Sequence, residues 1–380
     1  MKVAVVTTDN RQHYQTYGAT TPTFGAAPEA LLQGLALVPE VEVHVVGCTM
    51  KPMKSPEKLA ENIWFHSVYV PKIGWMRTSY NGCVRAVRRK LKTIHPDIVH
   101  GQGTERECAM SAAFSRFPNV VTIHGNMRNI AEVNRAKTFS FYWLAAQLEK
   151  ATLPRTRGVI CITHYTQEAV SDLARKTWVV PNAVDATFFD VQSEPDDTGT
   201  ILCVGGVCIR KNQNRFIEAL DSLAAKRKLR VVFMGGAEKE NPYAAEFLGL
   251  VEKRPWCEYA GFADRDTLKA RLKNASMLAL PSLEDNCPMV VLEAMAAGVP
   301  VLAAKVGGLP DLIEDGKNGV FLDPLDAASM RAGVEKILDD RGLAKSLATT
   351  AKEQAREKYH PLVIAKRHVE IYREVLSTPS

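Results

Sequence analysis

Two carboxylates, Asp285 and Glu293, stand eight positions apart around a run that opens with Asn286-Cys287-Pro288 and closes at Gly298 and Pro300. Proline suits a first helical turn, and glycine followed by proline suits a helix stop, so the run reads as one short helix. Positions 285, 289, 293 and 296 then share a side, and both acids can address one ligand. The amides of the first turn carry the positive end of the helix dipole, which suits a phosphate or a sugar hydroxyl. Asn286, Cys287, Pro288, Met289 and Val290 are therefore candidate binding positions beside the two acids. Earlier in the chain, the apolar run 201–204 ends in Gly205-Gly206, and Arg210-Lys211 follow. Paired glycines let backbone approach an anion, which a guanidinium grips through two oxygens and an ammonium holds as a point charge. A second apolar run, 231–234, also ends in paired glycines, Gly235-Gly236. Taken singly, a capping acid, a surface glutamate and a solvated basic turn explain these features as well.

The stretch 281–313, PSLEDNCPMVVLEAMAAGVPVLAAKVGGLPDLI, resembles the donor-site signature of glycosyltransferase family 4. Members are retaining sugar transferases of the GT-B fold, and the signature places two glutamates eight positions apart. Here the first is Asp285, with Glu284 one residue out of register and expected to face solvent or cap the loop. The resemblance implies an α/β architecture of two Rossmann-like domains facing each other across a cleft. It implies an acceptor-binding domain over 1–185, joined by a C-terminal helix (359–380) that crosses back to it. A nucleotide-sugar donor domain over 186–358 completes the chain.

The resemblance also implies roles. Arg210 and Lys211 would hold the donor diphosphate, Arg210 standing in for an arginine that the family carries where this chain has Gly206. Asp285 would bind sugar hydroxyls and Glu293 the nucleotide ribose. Gly261-Phe262 resembles the family's base-binding turn; Gly25, which opens a helix, and the strand-end glycines Gly205, Gly206 and Gly235 join the donor set. His124, after the apolar run 120–123 and before Gly125, would lie against the transferred sugar. The catalytic set is then His124, Arg210, Lys211 and Asp285. No second carboxylate is evident on the opposite sugar face in the strand-end turns, so same-face attack is favoured over the double displacement of retaining glycosidases. The implied activity moves a hexose-type sugar from a UDP- or GDP-sugar to a sugar, lipid-linked glycan or small-molecule acceptor. Rival readings are a GT-B epimerase or phosphorylase, and a non-catalytic sugar-nucleotide-binding subunit. Asp264-Arg265-Asp266 mimics a metal-binding triplet, but it precedes a helix starting at Thr267, where two capping acids explain it better. No metal and no cofactor are expected.

The elements that must carry these residues are legible as a strand–helix rhythm. Apolar runs at 3–7, 41–46, 96–100, 120–123, 159–162, 201–204, 231–234, 277–280 and 299–303 read as buried strands. Glycine-bearing turns follow several of them, as in a doubly wound sheet whose ligands lie at strand carboxyl ends. The full dinucleotide fingerprint is absent, so no nicotinamide cofactor is inferred. The polar run 192–199, QSEPDDTG, reads as the interdomain linker. At 380 residues the chain suits two domains. Its 8 cysteines are scattered with no CxxC pair, which suggests a reduced, cytoplasmic setting. The start MKVAVVTTDN reads as a first strand rather than a signal peptide. Charge is uneven: residues 1–185 hold 22 Lys and Arg against 14 Asp and Glu. Such a basic half favours an acidic acceptor or peripheral contact with an anionic membrane. It lacks the aromatic interleaving of a nucleic-acid surface. The run 79–94, with Arg85, Arg88, Arg89, Lys90 and Lys92, reads as a solvated basic helix packed on the sheet, with a membrane-surface helix as the alternative.

Overall fold

Runs such as Val3-Ala4-Val5-Val6 and Ile201-Leu202-Cys203-Val204 are apolar on both strand faces, which only a sheet covered by helices on both sides can bury. The computed structural model describes residues 1–378; Pro379 and Ser380, the end of the expected 359–380 segment, lie outside the described residues. The chain divides into two compact units, Met1–Ala183 with the segment from His360 onward, and Val184–Tyr359.

The first unit is built on eight strands: β1 Lys2–Val6, β2 Glu42–Thr49, β3 Lys58–Ala60, β4 Ile63–Tyr69, β5 Ile98–Gln102, β6 Asn119–Ile123, β7 Val159–Cys161 and β8 Thr177–Val179. Their order is β3-β4-β2-β1-β5-β6-β7-β8, parallel throughout except for β3 on β4. One face is closed by helix Ala26–Ala36 and by helix Pro361–Ser377, whose Ile364, Ala365, Val369 and Tyr372 join the core of Val3, Val43 and Ile98. The C-terminal helix thus returns to the first unit. Its approach is close: a Cβ on Gly34 would sit 2.0 Å from the carbonyl oxygen of Pro361, so only glycine admits this contact. On the other face, helix Asn81–Ile94 buries Cys83, Val84, Ala86, Val87, Leu91 and Ile94, which leaves Arg85, Arg89 and Lys92 exposed. This helix begins two residues later than its periodicity predicts, because Ser79 and Tyr80 take positive φ of 48° and 58°.

Two buried charges shape the carboxyl edge of this sheet. Arg11, fully buried, forks onto Asp9 (2.7 Å) and donates to the carbonyls of Ala19, Thr20 and Lys54, which fixes the long loop after β1. Glu149, also fully buried, accepts from Thr104 Oγ1 (2.7 Å) and from the amide of Met127 (3.0 Å). It ties the turn after β5 to helix Met127–Val133 after β6.

The second unit holds β9 Thr200–Val204, β10 Arg230–Met234, β11 Cys257–Gly261, β12 Met277–Leu280, β13 Val301–Ala304 and β14 Val320–Leu322. They run in the order β11-β10-β9-β12-β13-β14, all parallel. β11 and β14, the two edges, carry too few apolar residues to read as buried strands. Helices Ala327–Asp339 and Arg341–Tyr359 complete the unit. The polar run 192–199 is stitched into it: the amides of Glu194 and Asp196 donate to the carbonyls of Lys273 and Asn274. It is part of the second unit and not the crossing between units, which falls at 183/184 and 359/360.

Candidate functional site

In the second unit, three strands deliver their glycine turns to one edge. The amide of Gly205 donates to Met234 O, that of Gly235 to Gly261 O and that of Val207 to Gly236 O, each at 2.8 Å. Beyond this edge, Arg210 and Lys211 occupy a short 3-10 turn, Ile209–Lys211, and meet the loop before helix Met289–Ala297. Lys211 Nζ donates to Asp285 Oδ2 at 2.6 Å, and Ser282 Oγ donates to the same oxygen at 3.0 Å. Arg210 Nη1 lies 3.4 Å from Asp285 Oδ1 and 3.4 Å from Glu284 Oε2, and donates to the Glu284 carbonyl at 2.9 Å. Asp285 is buried by these partners and by Gly307, where a Cβ would fall 1.9 Å from the Asp285 carbonyl oxygen. Gly307 also holds φ +55°, a region open to glycine at little cost.

Four expectations change here. Pro288 is the N-cap and the helix starts at Met289, so Pro288 lies just outside the first turn. Asp285 therefore precedes the helix rather than riding on its face. Its side chain turns to Lys211 and Arg210, and none of its ion-pair partners reaches Glu293 among the described residues. Glu284 does not face solvent alone: it is half-buried on Arg210, and burial pushes its carboxyl upward. Asn286 and Met289 are half-exposed, while Cys287, Pro288 and Val290 are buried.

Glu293 occupies the middle of its helix and is 5% exposed. Its carboxyl has no hydrogen-bond partner among the described residues. Burial pushes it up to about 7, with Arg265 opposing the shift and Asp185 adding to it. Arg265 Nη1 in turn donates to Asp185 Oδ2 at 3.1 Å. Asp185 and Arg265 went unseen in the sequence as neighbours of Glu293, since no spacing relates positions 185, 265 and 293. The flanking acids of the DRD triplet are otherwise engaged: Asp264 caps helix Arg265–Lys273 by accepting from Thr267 N (2.8 Å), and Asp266 pairs with Lys269 (2.8 Å). Phe262, after Gly261, is 75% exposed.

The first unit carries His124 and Gly25. His124 Nε2–H donates to Gln102 Oε1 at 2.8 Å, and its ring also bonds the Asn182 side chain. Burial pulls it down to about 4, so the ring is neutral near pH 7. Gln102 Nε2 continues to His100, which meets Thr122 Oγ1 (2.7 Å) and Tyr372 OH (2.6 Å). This polar chain runs through the core, from the strand-end histidine to the C-terminal helix. Gly25 caps helix Ala26–Ala36 in this unit, whereas Gly205, Gly206 and Gly235 belong to the second. The first unit also carries a carboxylate that sequence reasoning passed over. Glu105, in the turn after β5, accepts from the amide of Gly125, next to His124, and burial pushes its carboxyl upward. The sequence masked it within the polar string Thr104-Glu105-Arg106-Glu107.

Residues 184–354 match the family described as Glycosyl transferases group 1, and residues 31–188 match Glycosyltransferase Family 4. The chain is 27% identical to alpha-D-kanosaminyltransferase of Streptomyces kanamyceticus, over 86% of this chain and 94% of that protein. An uncharacterized glycosyltransferase of Methanocaldococcus jannaschii is 32% identical over 47% of this chain and 45% of its own length. Among solved structures, sucrose-phosphate synthase from Thermosynechococcus elongatus superposes with a TM-score of 0.80 at 18% identity, covering 99% of both chains. HepE of Anabaena, solved in complex with UDP-glucose, superposes with a TM-score of 0.72 at 16% identity, covering 98% of this chain and 100% of its own. These neighbours share the GT-B fold of two parallel-sheet α/β domains with this chain.

Proposed function

The chain belongs to glycosyltransferase family 4, and from that premise we propose that it moves a hexose-type sugar from a nucleoside diphosphate to an acceptor hydroxyl with retained configuration. The observation that carries this reading is the Lys211–Asp285–Arg210 cluster beside the glycine turns after β9 and β10. Two cations held by one carboxylate are positioned before any ligand arrives. A diphosphate that takes over Lys211 and Arg210 leaves Asp285 to accept hydroxyls of the sugar, and the same cations then stabilise the leaving nucleoside diphosphate. Glu293, buried near Arg265 and without a hydrogen bond of its own among the described residues, suits the paired hydroxyls of a ribose. His124 is the proposed sugar-side group of the first unit.

UDP is the proposed nucleotide, on the ground that HepE was solved with UDP-glucose. Thermal-shift screening of UDP-, GDP- and ADP-sugars tests this, since a ligand that binds only the folded state raises Tm. UDP-sugars are expected to give the largest rise and to turn over in EDTA. A shift confined to GDP- or ADP-sugars overturns the nucleotide, and activity restored only by a divalent ion overturns the metal-free reading.

Peripheral contact with an anionic membrane is part of the proposal. Arg85, Arg88, Arg89, Lys90 and Lys92 form no ion pair among the described residues, and their helix Asn81–Ile94 holds no acid. Nearby, Tyr69, Ile73 and Met76 are exposed at 51%, 73% and 42%. No helix among the described residues is long and apolar enough to cross a membrane. Co-sedimentation with phosphatidylglycerol vesicles is expected at low salt and lost in the triple variant R85E/R88E/R89E. Equal binding to phosphatidylcholine vesicles would sink the electrostatic reading.

A further inference from the structure

We propose that Gln102 is a positioning residue for the transfer: it fixes the proton of the His124 ring on Nε2 and holds that ring in one neutral orientation. This rests on the glycosyl-transfer reading above, in which His124 stands on the sugar side, and names the group that sets how it stands.

On the sheet face that packs against the C-terminal helix, β5 runs Ile98, His100, Gln102. On the same face β6 runs Val120, Thr122, and His124 follows just past its end. Alternate residues share a face, and the parallel register sets Gln102 beside Thr122. Elsewhere this buried face is apolar, as at Val3, Val43, Val45 and Ile160. His100, Gln102 and Thr122 are at most 6% exposed. Polar groups so deep cost stability that valine would not, and only a fully bonded column is tolerated. Packing alone gives no reason for the column, which ends at His124.

The bonds give the column one direction. His100 meets Thr122 Oγ1 through Nε2 (2.7 Å) and Tyr372 OH through Nδ1 (2.6 Å). The Gln102 amide nitrogen lies 3.4 Å and 3.1 Å from those same two ring nitrogens, Nδ1 and Nε2, a placement over the ring face. A ring face attracts an N–H hydrogen and repels an amide oxygen. The Gln102 oxygen is therefore the atom that points to His124 Nε2, at 2.8 Å. A carbonyl oxygen only accepts, so Nε2 carries the hydrogen and Nδ1 of the neutral ring carries none. Asn182, next to the crossing between units, supplies a further bond to the ring. Gln102, Thr122, His124, Asn182 and His368 wall one small space.

The titratable groups around the ring leave it neutral. His100 on β5 and His368 on the C-terminal helix are pulled down by burial, and His368 opposes charge on His124. Burial pushes Tyr372 up and holds Glu105, in the turn after β5, toward its neutral form. Gln102 supplies an acceptor without a charge, where a carboxylate would favour the imidazolium. His124 is thus kept as a fixed hydrogen-bonding ring and not as a proton carrier.

Histidine side-chain NMR of the isotope-labelled whole chain reads the pairing directly, with the His124 signals identified by their loss in His124→Asn. Wild type is expected to hold the neutral Nε2–H form between about pH 5 and 8. Gln102→Met removes the acceptor at similar volume, and the His124 signals should depart from that form. Gln102→Glu keeps an acceptor but adds a charge, so His124 should leave the neutral form as pH falls through the same range. Kinetics at saturating nucleotide sugar, selected by thermal shift, then read its use. Gln102→Met is expected to lower kcat by about 100-fold, the scale of a group left about 1 Å out of place. Donor Kd should change less than about twofold, as for a contact not made by that substrate. In Gln102→Glu, kcat should approach wild type near pH 8 and fall at lower pH while wild type stays level, which lost packing alone does not produce. A wild-type His124 proton on Nδ1, or unchanged His124 signals in Gln102→Met, would overturn the positioning. Altered signals with kcat unchanged in both variants would overturn its use in the transfer. Absence of turnover by wild type with every nucleotide sugar would count instead against the transferase reading, while the spectra still decide where the His124 proton sits.

Discussion

Lys211→Ala is expected to lower kcat/KM for the nucleotide sugar by about 100- to 1,000-fold, the scale of one lost charge-assisted contact to a leaving group. Lys211 is the shorter and more buried of the two contacts to Asp285, at 2.6 Å against 3.4 Å for Arg210. Arg210 spends a donor on the Glu284 carbonyl and shares its charge with the Glu284 side chain, so part of its work is to position the loop. Arg210→Ala should therefore be milder, about tenfold, as for a partly exposed charge. Lys211→Arg should fail to rescue, because a planar fork does not fit a slot built around a point charge. The check is steady-state kinetics together with donor Kd by calorimetry. Wild-type donor kinetics in Lys211→Ala would remove the diphosphate clamp from the mechanism. The pair can be tested as a cycle as well. Asp285→Asn keeps the volume but frees both cations, so Lys211→Ala/Asp285→Asn should cost less than the sum of the single changes.

Affinity for the donor should fall as pH drops below about 7, by up to tenfold per pH unit, since binding ribose hydroxyls requires the ionised form of a single group. That group is Glu293, whose folded-state value is pushed up to about 7 by burial. The sign follows from the direction of the shift. The folded, unliganded protein holds a proton that the unfolded chain releases at lower pH, so this residue's burden on stability grows as pH rises from the ordinary carboxylate range through about 7. Donor binding has the opposite slope, because hydroxyl donors stabilise the carboxylate. An intact nucleotide sugar is the right probe, since its diphosphate is esterified at both ends and does not itself titrate near neutrality. Calorimetric Kd between about pH 5.5 and 8 should show the slope in wild type and none in Glu293→Gln. A wild-type profile flat over that interval would show that Glu293 does not hold the donor. Glu293→Gln should also melt at higher temperature than wild type above pH 7, having no charge to bury.

The sequence alone determined the strand ends. Buried parallel strands need unbroken apolar runs, and a glycine after such a run marks where backbone must turn tightly. The positions of Gly205, Gly235 and His124 at carboxyl ends were therefore readable, as were the basic pair 210–211 and the helix stop at Gly298. The C-terminal helix was readable as amphipathic, because an apolar stripe at helical spacing is a local property. The tertiary structure decided which side chains meet. Asp285 and Glu293 are related by helical spacing in the sequence, yet a start at Met289 leaves Asp285 in the loop, free to turn toward Lys211, 74 positions away. Glu293 acquired Arg265 and Asp185 as neighbours through the packing of three separate segments, and its raised titration comes from burial that no local pattern encodes. Glu105 is the clearest case. In the chain it is one charge in a polar string, and only the parallel pairing of β5 with β6 brings it under Gly125. Spacing fixes what a residue can reach along its own element, whereas its partners on other elements follow from strand order, which pairs distant segments without leaving a trace in either.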